Sequence, residues 1–265
     1  MNSTLISSRD NPRIKKVSKL LSSAKARKES GLFAAEGMRL CGDVLASGIG
    51  IESLFFTRAA LERYGDKLLE VMKASKELFE VEEKVFEKMG DTTSPQGVLA
   101  LCRIPSLKAE LSEDKAFIAM EKVADPSNLG AVARSAEAFG IGGIIIGGSG
   151  CDPFSPKALR ASMGALVRLP IFVCSDFCRA MHDYKLEGKR IIGAVVRGGK
   201  SLGEFSFKKG DIVCIGNEAD GLSQEAIELC DEVVTIPMSG RAESLNAATA
   251  ATVFIWEMSK GCRND

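Results

Sequence analysis

Residues 236–246 read IPMSGRAESLN and stand between the end of an apolar strand and an alanine-rich segment. Pro237 and Gly240 interrupt regular structure, and the Ser-Leu-Asn that closes the stretch is typical of a helix start. A loop of this composition exposes many backbone donors and acceptors and few bulky side chains. We therefore expect a strand, a loop that wraps around a small ligand, and a helix.

The same order of strand, glycine-bearing turn and helix recurs through the second half of the chain. Apolar runs predict strands at 116–120, 143–147, 167–173, 190–196, 212–216 and 233–237, and helical spacing predicts a helix at 130–139. Alternating strands and helices imply a parallel sheet covered on both faces, which binds ligands at the carboxyl ends of its strands. Loops that begin there can share one crevice.

The first hundred residues predict a smaller mixed α/β domain. Helices are expected at 12–26, 38–46 and 59–73, and strands at 32–35, 51–57 and 98–102. A polar stretch without periodicity, 106–114, follows Pro105 and is the expected linker. The predicted division is therefore 1–105, the linker 106–114, and 115–265.

Charge is balanced over the whole chain but not within it. Residues 1–30 carry eight basic side chains against two acidic ones, although the net charge of the protein is zero. Such a patch suits a polyanion, although taken alone it is more simply explained as a solvated helix face.

The eight cysteines form no Cys-x-x-Cys pair, and several lie in apolar runs, so we expect reduced thiols in a cytoplasmic protein. Cys174, Cys178 and His182 have the spacing of one helix face, but no fourth ligand is evident and no metal is expected. The N-terminus lacks an apolar leader, and no run is long enough to span a bilayer, so no membrane partner is expected.

Two common nucleotide sites are disfavoured. Gly216 and Gly221 have the spacing of a phosphate loop, but Leu222 and Ser223 follow where that loop requires Lys and Ser or Thr. No Gly-x-Gly-x-x-Gly opens a helix after the first strand of the second domain. The sequence therefore disfavours nucleotide hydrolysis and hydride transfer as functions of this protein.

Three ordered segments carry a family resemblance. Residues 128–140 (NLGAVARSAEAFG), 213–222 (VCIGNEADGL) and 236–246 resemble the three motifs of the SpoU/TrmH-type RNA ribose 2′-O-methyltransferases of the SPOUT superfamily. The bridging segment 155–170 is also similar, so that the resemblance extends from about residue 117 to 257. One departure is that Ala247 and Ala248 stand where members often carry Val and Ser.

The resemblance implies an α/β fold in which a C-terminal methyltransferase domain with a parallel sheet is tied in a trefoil knot, an exception to unknotted connectivity. It implies S-adenosylmethionine as cofactor, a homodimer formed through this domain, and an N-terminal RNA-binding domain. The expected substrate is a ribose in structured RNA, with ribosomal RNA favoured over transfer RNA. An inactive RNA-binding module and a small-molecule transferase are the alternatives.

The resemblance also assigns the site residues. The expected catalytic set comprises Arg134, Asn128, Glu218 and Asn246, with Arg134 holding a phosphate or the developing alkoxide. Plain structural roles compete: helix capping for Asn128, Asn246 and Ser244, and core packing for Ile236 and Leu245. The expected cofactor-binding set comprises Gly216, Ile236, Met238, Leu245, Gly221 and Ser244, and the expected RNA-binding set comprises Arg9, Arg13, Lys15, Lys16 and Lys19.

Overall fold

The computed structural model describes residues 3–90, 94–105 and 111–261, so residues 106–110 of the predicted linker lie outside the described residues. Contacts divide the described chain into two compact units. One comprises 3–105 together with 154–168, and the other comprises 111–153 and 169–261. The predicted α/β class is confirmed in both units.

The first unit is built on a five-stranded mixed sheet in the order β1-β4-β3-β5-β2. The strands β1, β4 and β3 run parallel, and β5 is antiparallel to both of its neighbours. Its elements are β1 (Thr4–Ile6), α1 (Pro12–Ser22), α2 (Ala24–Ser30), β2 (Leu32–Glu36), α3 (Met38–Ala46), β3 (Ile51–Phe56), α4 (Arg58–Tyr64), α5 (Asp66–Ala74), β4 (Ser75–Val81), α6 (Glu83–Phe86) and β5 (Val98–Arg103).

Two of the helices predicted in this unit are each divided in two. Ser23 ends α1 and caps α2, because its hydroxyl accepts from the Ala26 amide at 3.2 Å. Gly65, at φ +47°, separates α4 from α5. A capping serine and a glycine at positive φ each end a helix here, so the continuous helices predicted at 12–26 and 59–73 were wrong.

A segment from the middle of the chain completes the first unit. The helices α8 (Pro156–Ser162) and α9 (Ala165–Arg168) pack on β2 and α3, although they lie within the predicted domain 115–265. The Phe154 and Phe33 rings are 4.9 Å apart, and Arg168 Nη1 lies 2.8 Å from Asp43 Oδ1. The strand predicted at 167–173 was wrong in its first two residues, which belong to α9.

The second unit contains a seven-stranded sheet in which every pairing is parallel, as predicted. Its order is β10-β12-β9-β11-β6-β7-β8. The elements are β6 (Phe117–Glu121), α7 (Pro126–Ala138), β7 (Ile144–Gly147), β8 (Ile171–Cys174), α10 (Phe177–Leu186), β9 (Ile191–Ala194), β10 (Lys200–Ser201), a 3-10 turn (Leu202–Glu204), β11 (Ile212–Ile215), α11 (Gln224–Leu229), β12 (Glu232–Thr235) and α12 (Ala247–Gly261).

The middle of this sheet is fully buried. All residues of β6, β7 and β11 are buried, which matches sequences that are apolar except for Glu121 at the end of β6. On one face, α7 packs against α12. Because β12, β9 and β11 are neighbours and run parallel, their carboxyl ends meet at one edge of the sheet, where the loops that follow them come together.

Candidate active site

A cavity of about 570 Å³ lies at that edge, within the second unit. This volume is in the range of small-molecule sites. Loops after β9, β11 and β12 and the start of α12 form its walls, so the three strands bring distant parts of the chain together. Its described lining comprises Ala194, Val195, Val196, Arg197, Ile215, Gly216, Asn217, Glu218, Ala219, Asp220, Gly221, Ile236, Met238, Glu243, Ser244, Leu245, Ala247, Ala250 and Phe254.

All six predicted cofactor residues line this one cavity. Gly216 and Gly221 come from the loop after β11, and Ile236 and Met238 follow β12. Ser244 and Leu245 stand just before α12. The apolar residues Met238 and Leu245 are each 37% exposed, whereas the apolar residues of the central strands are buried. Exposed apolar groups around a polar cleft are typical of a ligand surface.

The loop after β11 is a tight backbone turn. Asn217 and Gly221 exchange two backbone hydrogen bonds, of 3.1 and 3.2 Å, and the Asn217 side chain accepts from the Ala219 and Asp220 amides at 2.8 Å each. A Cβ on Gly216 would lie 1.9 Å from the backbone carbon of Gly221. Only glycine fits there, which lets the backbone itself form the cavity wall.

A buried carboxylate holds the backbone that directly follows this turn. Glu121, at the end of β6, is 2% exposed, and its Oε2 accepts from the Ser223 amide at 2.8 Å. Ser223 caps α11, since its hydroxyl accepts from Ala226 N at 3.3 Å. The turn that leaves the cavity is therefore fixed at both ends by hydrogen bonds.

Three predicted catalytic side chains form a continuous hydrogen-bonded chain. Asn246 caps α12, because its Oδ1 accepts from Ala248 N at 2.9 Å and Thr249 N at 3.3 Å, and its Nδ2 donates to Asn128 Oδ1 at 3.1 Å. Asn128 Nδ2 in turn donates to Glu218 Oε1 at 2.5 Å. Because each amide must present its oxygen to a donor, the orientations of both asparagines are determined by the chain.

The interpretation of Asn128 as a helix cap was wrong. The helix α7 begins earlier, at Pro126, and Asp125 caps it by accepting from Ser127 N at 2.9 Å. Asn128 therefore lies in the first turn of the helix, where its side chain is free for Glu218 and Asn246. The capping interpretation of Asn246 is confirmed by the two amide bonds at the start of α12.

Arg134 lies on the same helix as Asn128 but not in the cavity wall. Its side chain is exposed, and it does not belong to the described lining of the cavity. Across the described chain, no hydrogen bond or ion pair occupies its guanidinium, which is thus available to an external anion.

One thiol near the site is not a nucleophile. Burial, together with the nearby carboxylates of Asp152, Asp125 and Glu218, raises the pKa of Cys151 to about 11. A thiol with this pKa is protonated at neutral pH and is a poor nucleophile.

Residues 194–197 form a part of the cavity wall that the sequence motifs do not include, as do Ala247, Ala250 and Phe254 of α12. Ala194 ends β9 and residues 195–197 follow it, although sequence analysis had predicted that the strand continues to residue 196. The signal that could have found them is the sheet order, since β9 lies between β11 and β12 and its carboxyl end must meet theirs.

The predicted RNA-binding residues lie on the first unit. Ile14, Val17 and Leu20 bury one face of α1, and the opposite face is basic. Lys15 pairs with Asp10 at 3.0 Å, and the Arg13 guanidinium lies 4.6 Å from the centre of the Phe79 ring and 3.7 Å from Glu77. All five predicted side chains are exposed: Arg9, Arg13, Lys15, Lys16 and Lys19.

The helical alignment expected for Cys174, Cys178 and His182 was wrong, because Cys174 ends β8 while the other two lie on α10. Within the described ranges, no cluster of three or more His, Cys, Asp or Glu side chains could hold a metal ion. Those ranges also contain no helix with the length and apolar character needed to cross a membrane.

Comparison with protein families agrees with this geometry. The model described as the SpoU rRNA Methylase family matches residues 115–256, which contain the three motifs and the cavity. The chain belongs to the SpoU rRNA methylase family. A second model, the MRM3-like substrate binding domain, matches residues 11–100. In this SpoU chain the family match and the cavity therefore lie in the same part of the sequence.

The similarity to several relatives covers nearly the whole SpoU chain. A tRNA/rRNA methyltransferase of Synechocystis, itself described as uncharacterized, is 32% identical over 95% of this chain and 92% of its own. The 23S rRNA (uridine(2479)-2′-O)-methyltransferase of Streptomyces viridochromogenes is 29% identical, covering 93% and 89%. The crystal structure of an AdoMet-bound rRNA methyltransferase from Sinorhizobium meliloti is similar with a TM-score of 0.85 and 29% identity, covering 97% and 98%.

Proposed function

We propose that this protein transfers the methyl group of S-adenosylmethionine to the 2′-oxygen of a ribose in RNA. Membership of the SpoU family supports the reaction, and the relatives with 2′-O and rRNA in their names support the substrate. The observation that carries the proposal is the cavity, because the glycine turn, the loop after β12 and the start of α12 all line it.

The residues that line the cavity fit this cofactor. Backbone groups at Gly216, Ile236 and Leu245 can bind the adenosine edge, since small neighbours let the main chain approach closely. Acidic side chains at Glu218, Asp220 and Glu243 suit a cationic ligand. When bound, the cofactor supplies a sulfonium-activated methyl group, and the protein's task is to orient it toward the acceptor oxygen.

Asn128, Glu218 and Asn246 position polar groups beside the cavity. The hydrogen bonds between them leave Glu218 with its second oxygen, which can accept from a ribose hydroxyl. A fixed carboxylate of this kind orients the hydroxyl and stabilises positive charge near it.

Arg134 binds and stabilises negatively charged groups of the substrate. A guanidinium stays protonated in proteins, so its role is to hold an RNA phosphate and to stabilise the alkoxide that develops as the 2′-hydroxyl loses its proton. Its exposed position supports contact with a macromolecule.

The basic face of α1 binds the RNA, and ribosomal RNA is the substrate class. Exposed Lys15, Lys16 and Lys19 lie on that face, and the family model over 11–100 is described as substrate binding. We divide the chain functionally into an RNA-binding domain at 1–105, a linker at 106–114 and a methyltransferase domain at 115–265.

The remaining expectations belong to the same proposal. The methyltransferase domain carries the trefoil knot, forms a homodimer and acts in the cytoplasm. Exposed apolar Trp256, which is 42% exposed and 5.2 Å from the Phe139 ring, supports self-association of this domain. Sedimentation at micromolar protein concentration measures the oligomeric state. A dimer is expected, and a monomer would contradict the proposal.

Methyl transfer from radiolabelled S-adenosylmethionine to a ribosomal RNA transcript tests the reaction. The expected product is labelled RNA, with label lost from the Arg134→Ala variant. Calorimetric titration with the cofactor separates the enzyme from an inactive module, because the module would bind RNA without taking up the cofactor.

A further inference from the structure

The loop after β9 presents one side chain to the cavity whose role the three motifs leave open. Val195 N donates to Val234 O at 3.0 Å, and Gly199 N donates to Thr235 Oγ1 at 3.0 Å, so both ends of the loop are attached to β12. Gly198 adopts φ +82°, which completes the turn. Arg197, between these anchors, therefore has a fixed backbone position on the cavity wall.

The guanidinium of Arg197 is available for a ligand. The residue is exposed, and in the part of the chain that the structure describes no hydrogen bond or ion pair engages its side chain. By contrast, nearby Lys200 is paired with Glu232 at 2.7 Å. An unpaired arginine at the edge of a ligand cavity is a natural anion contact.

The charge pattern of the cavity indicates which anionic group Arg197 would bind. Arg197 is the single cationic residue in the described lining, which also contains three acids, Glu218, Asp220 and Glu243. The methionine end of S-adenosylmethionine carries the opposite pattern, with a sulfonium and an ammonium that are positive and one carboxylate that is negative. The two positive groups match the acids, which leaves the carboxylate for the arginine.

We propose that Arg197 binds the carboxylate of the cofactor's methionine moiety and thereby selects the complete cofactor over forms without that group. A planar guanidinium suits a carboxylate because two parallel N–H donors can meet its two oxygens. This inference rests on the proposed function, because it requires that the cavity takes S-adenosylmethionine.

Calorimetric titration of the full-length protein with two ligands tests this role. The ligands are S-adenosylmethionine and its decarboxylated form, which keeps the sulfonium and the ammonium. The wild type should bind the complete cofactor about tenfold more tightly, as expected for one charge-assisted contact at a partly exposed site. Arg197→Ala should lose about that factor for the complete cofactor and change little, within about twofold, for the decarboxylated form.

Two further variants control for charge and fold. Arg197→Lys keeps the positive charge and should recover part of the lost affinity, because an ammonium replaces only one arm of the fork. Lys208→Ala removes a positive charge from the exposed surface of the same unit, outside the described cavity lining, and should leave both affinities unchanged.

The other outcomes overturn the inference in distinguishable ways. Equal affinities of the wild type for both ligands, or equal losses in Arg197→Ala, would remove the carboxylate contact while leaving the proposed function intact. Unchanged cofactor affinity with weakened RNA binding would make Arg197 a phosphate contact. A wild type that binds neither ligand would overturn the proposed function together with this inference.

Discussion

Asn246 Nδ2 lies 3.1 Å from Asn128 Oδ1, and this contact joins residues 118 positions apart at the starts of two helices. The same Asn246 caps α12 through its side-chain oxygen. One amide thus stabilises a helix with its oxygen and orients the Asn128–Glu218 pair with its nitrogen. The two roles use different atoms, so they can be separated by mutation.

Replacement of Asn246 by Asp should reduce methyl transfer without unfolding α12. Asp is as good a cap as Asn, because its oxygen still accepts the two amides, but it cannot donate to Asn128. We expect the melting temperature to stay near that of the wild type and the transfer rate to fall about 10- to 100-fold. Asn246→Ala, the comparison, should also lose about 1 kcal/mol of stability with the cap. Full activity in Asn246→Asp would show that the donated bond is irrelevant.

Gly216→Ala should strongly weaken cofactor binding. The added Cβ would lie 1.9 Å from the Gly221 backbone and 2.1 Å from Leu222 N, so the turn after β11 must move and the wall with it. Calorimetry with S-adenosylmethionine measures the effect, which should exceed about tenfold in dissociation constant.

Gly240→Ala is the matched control for that substitution. A Cβ at Gly240 meets no described atom within 4 Å, although the residue belongs to the loop that follows β12. Its affinity for the cofactor should stay close to that of the wild type. Equal losses in the two variants would mean that the loops respond to any added methyl group.

Arg134→Ala should separate transfer from cofactor binding. Arg134 does not line the described cavity, so the cofactor affinity should stay near normal while the transfer rate falls by about two to three orders of magnitude. Single-turnover assays and calorimetry on the same preparation measure both quantities. Parallel loss of the two would contradict the phosphate and alkoxide role.

Simultaneous replacement of Lys15, Lys16 and Lys19 by Ala should weaken RNA binding and leave cofactor affinity unchanged. Three lost phosphate contacts should lower the slope of log affinity against log salt by about 2 units. The control removes equal charge from exposed Lys67, Lys84 and Lys88 of the same unit, which lie outside the basic segment 1–30. If the control variant loses as much affinity, RNA does not prefer the α1 face.

The parallel sheet was predictable because its central strands are buried on both faces and read as continuous apolar runs, as in Ile212–Ile215. The strand β4 was not predicted, since SKELFEV mixes Lys and Glu with its apolar residues and only two of the seven positions are buried. Its pairing with β1 and β3 is a tertiary effect that local pattern does not encode.

Site residues that lie in a sequence motif could be predicted, whereas residues that reach the site only through the strand order of the sheet could not. Gly216, Ile236 and Leu245 were identified because their segments resemble the motifs of a known family. Arg197 follows an ordinary strand and lines the cavity because β9 lies between β11 and β12. The position of Asn128 inside α7 depended on Asp125 and Pro126, which start the helix three residues earlier than the motif suggests.

Nucleoside analysis by mass spectrometry, after the wild-type protein has acted on an unmodified ribosomal RNA transcript with S-adenosylmethionine, tests the proposed reaction most directly. We predict a nucleoside methylated on its ribose 2′-oxygen, which is absent when Gly216→Ala replaces the wild type. A methyl group found on a base, or no methylated nucleoside from a protein that binds both the cofactor and the RNA, would contradict it.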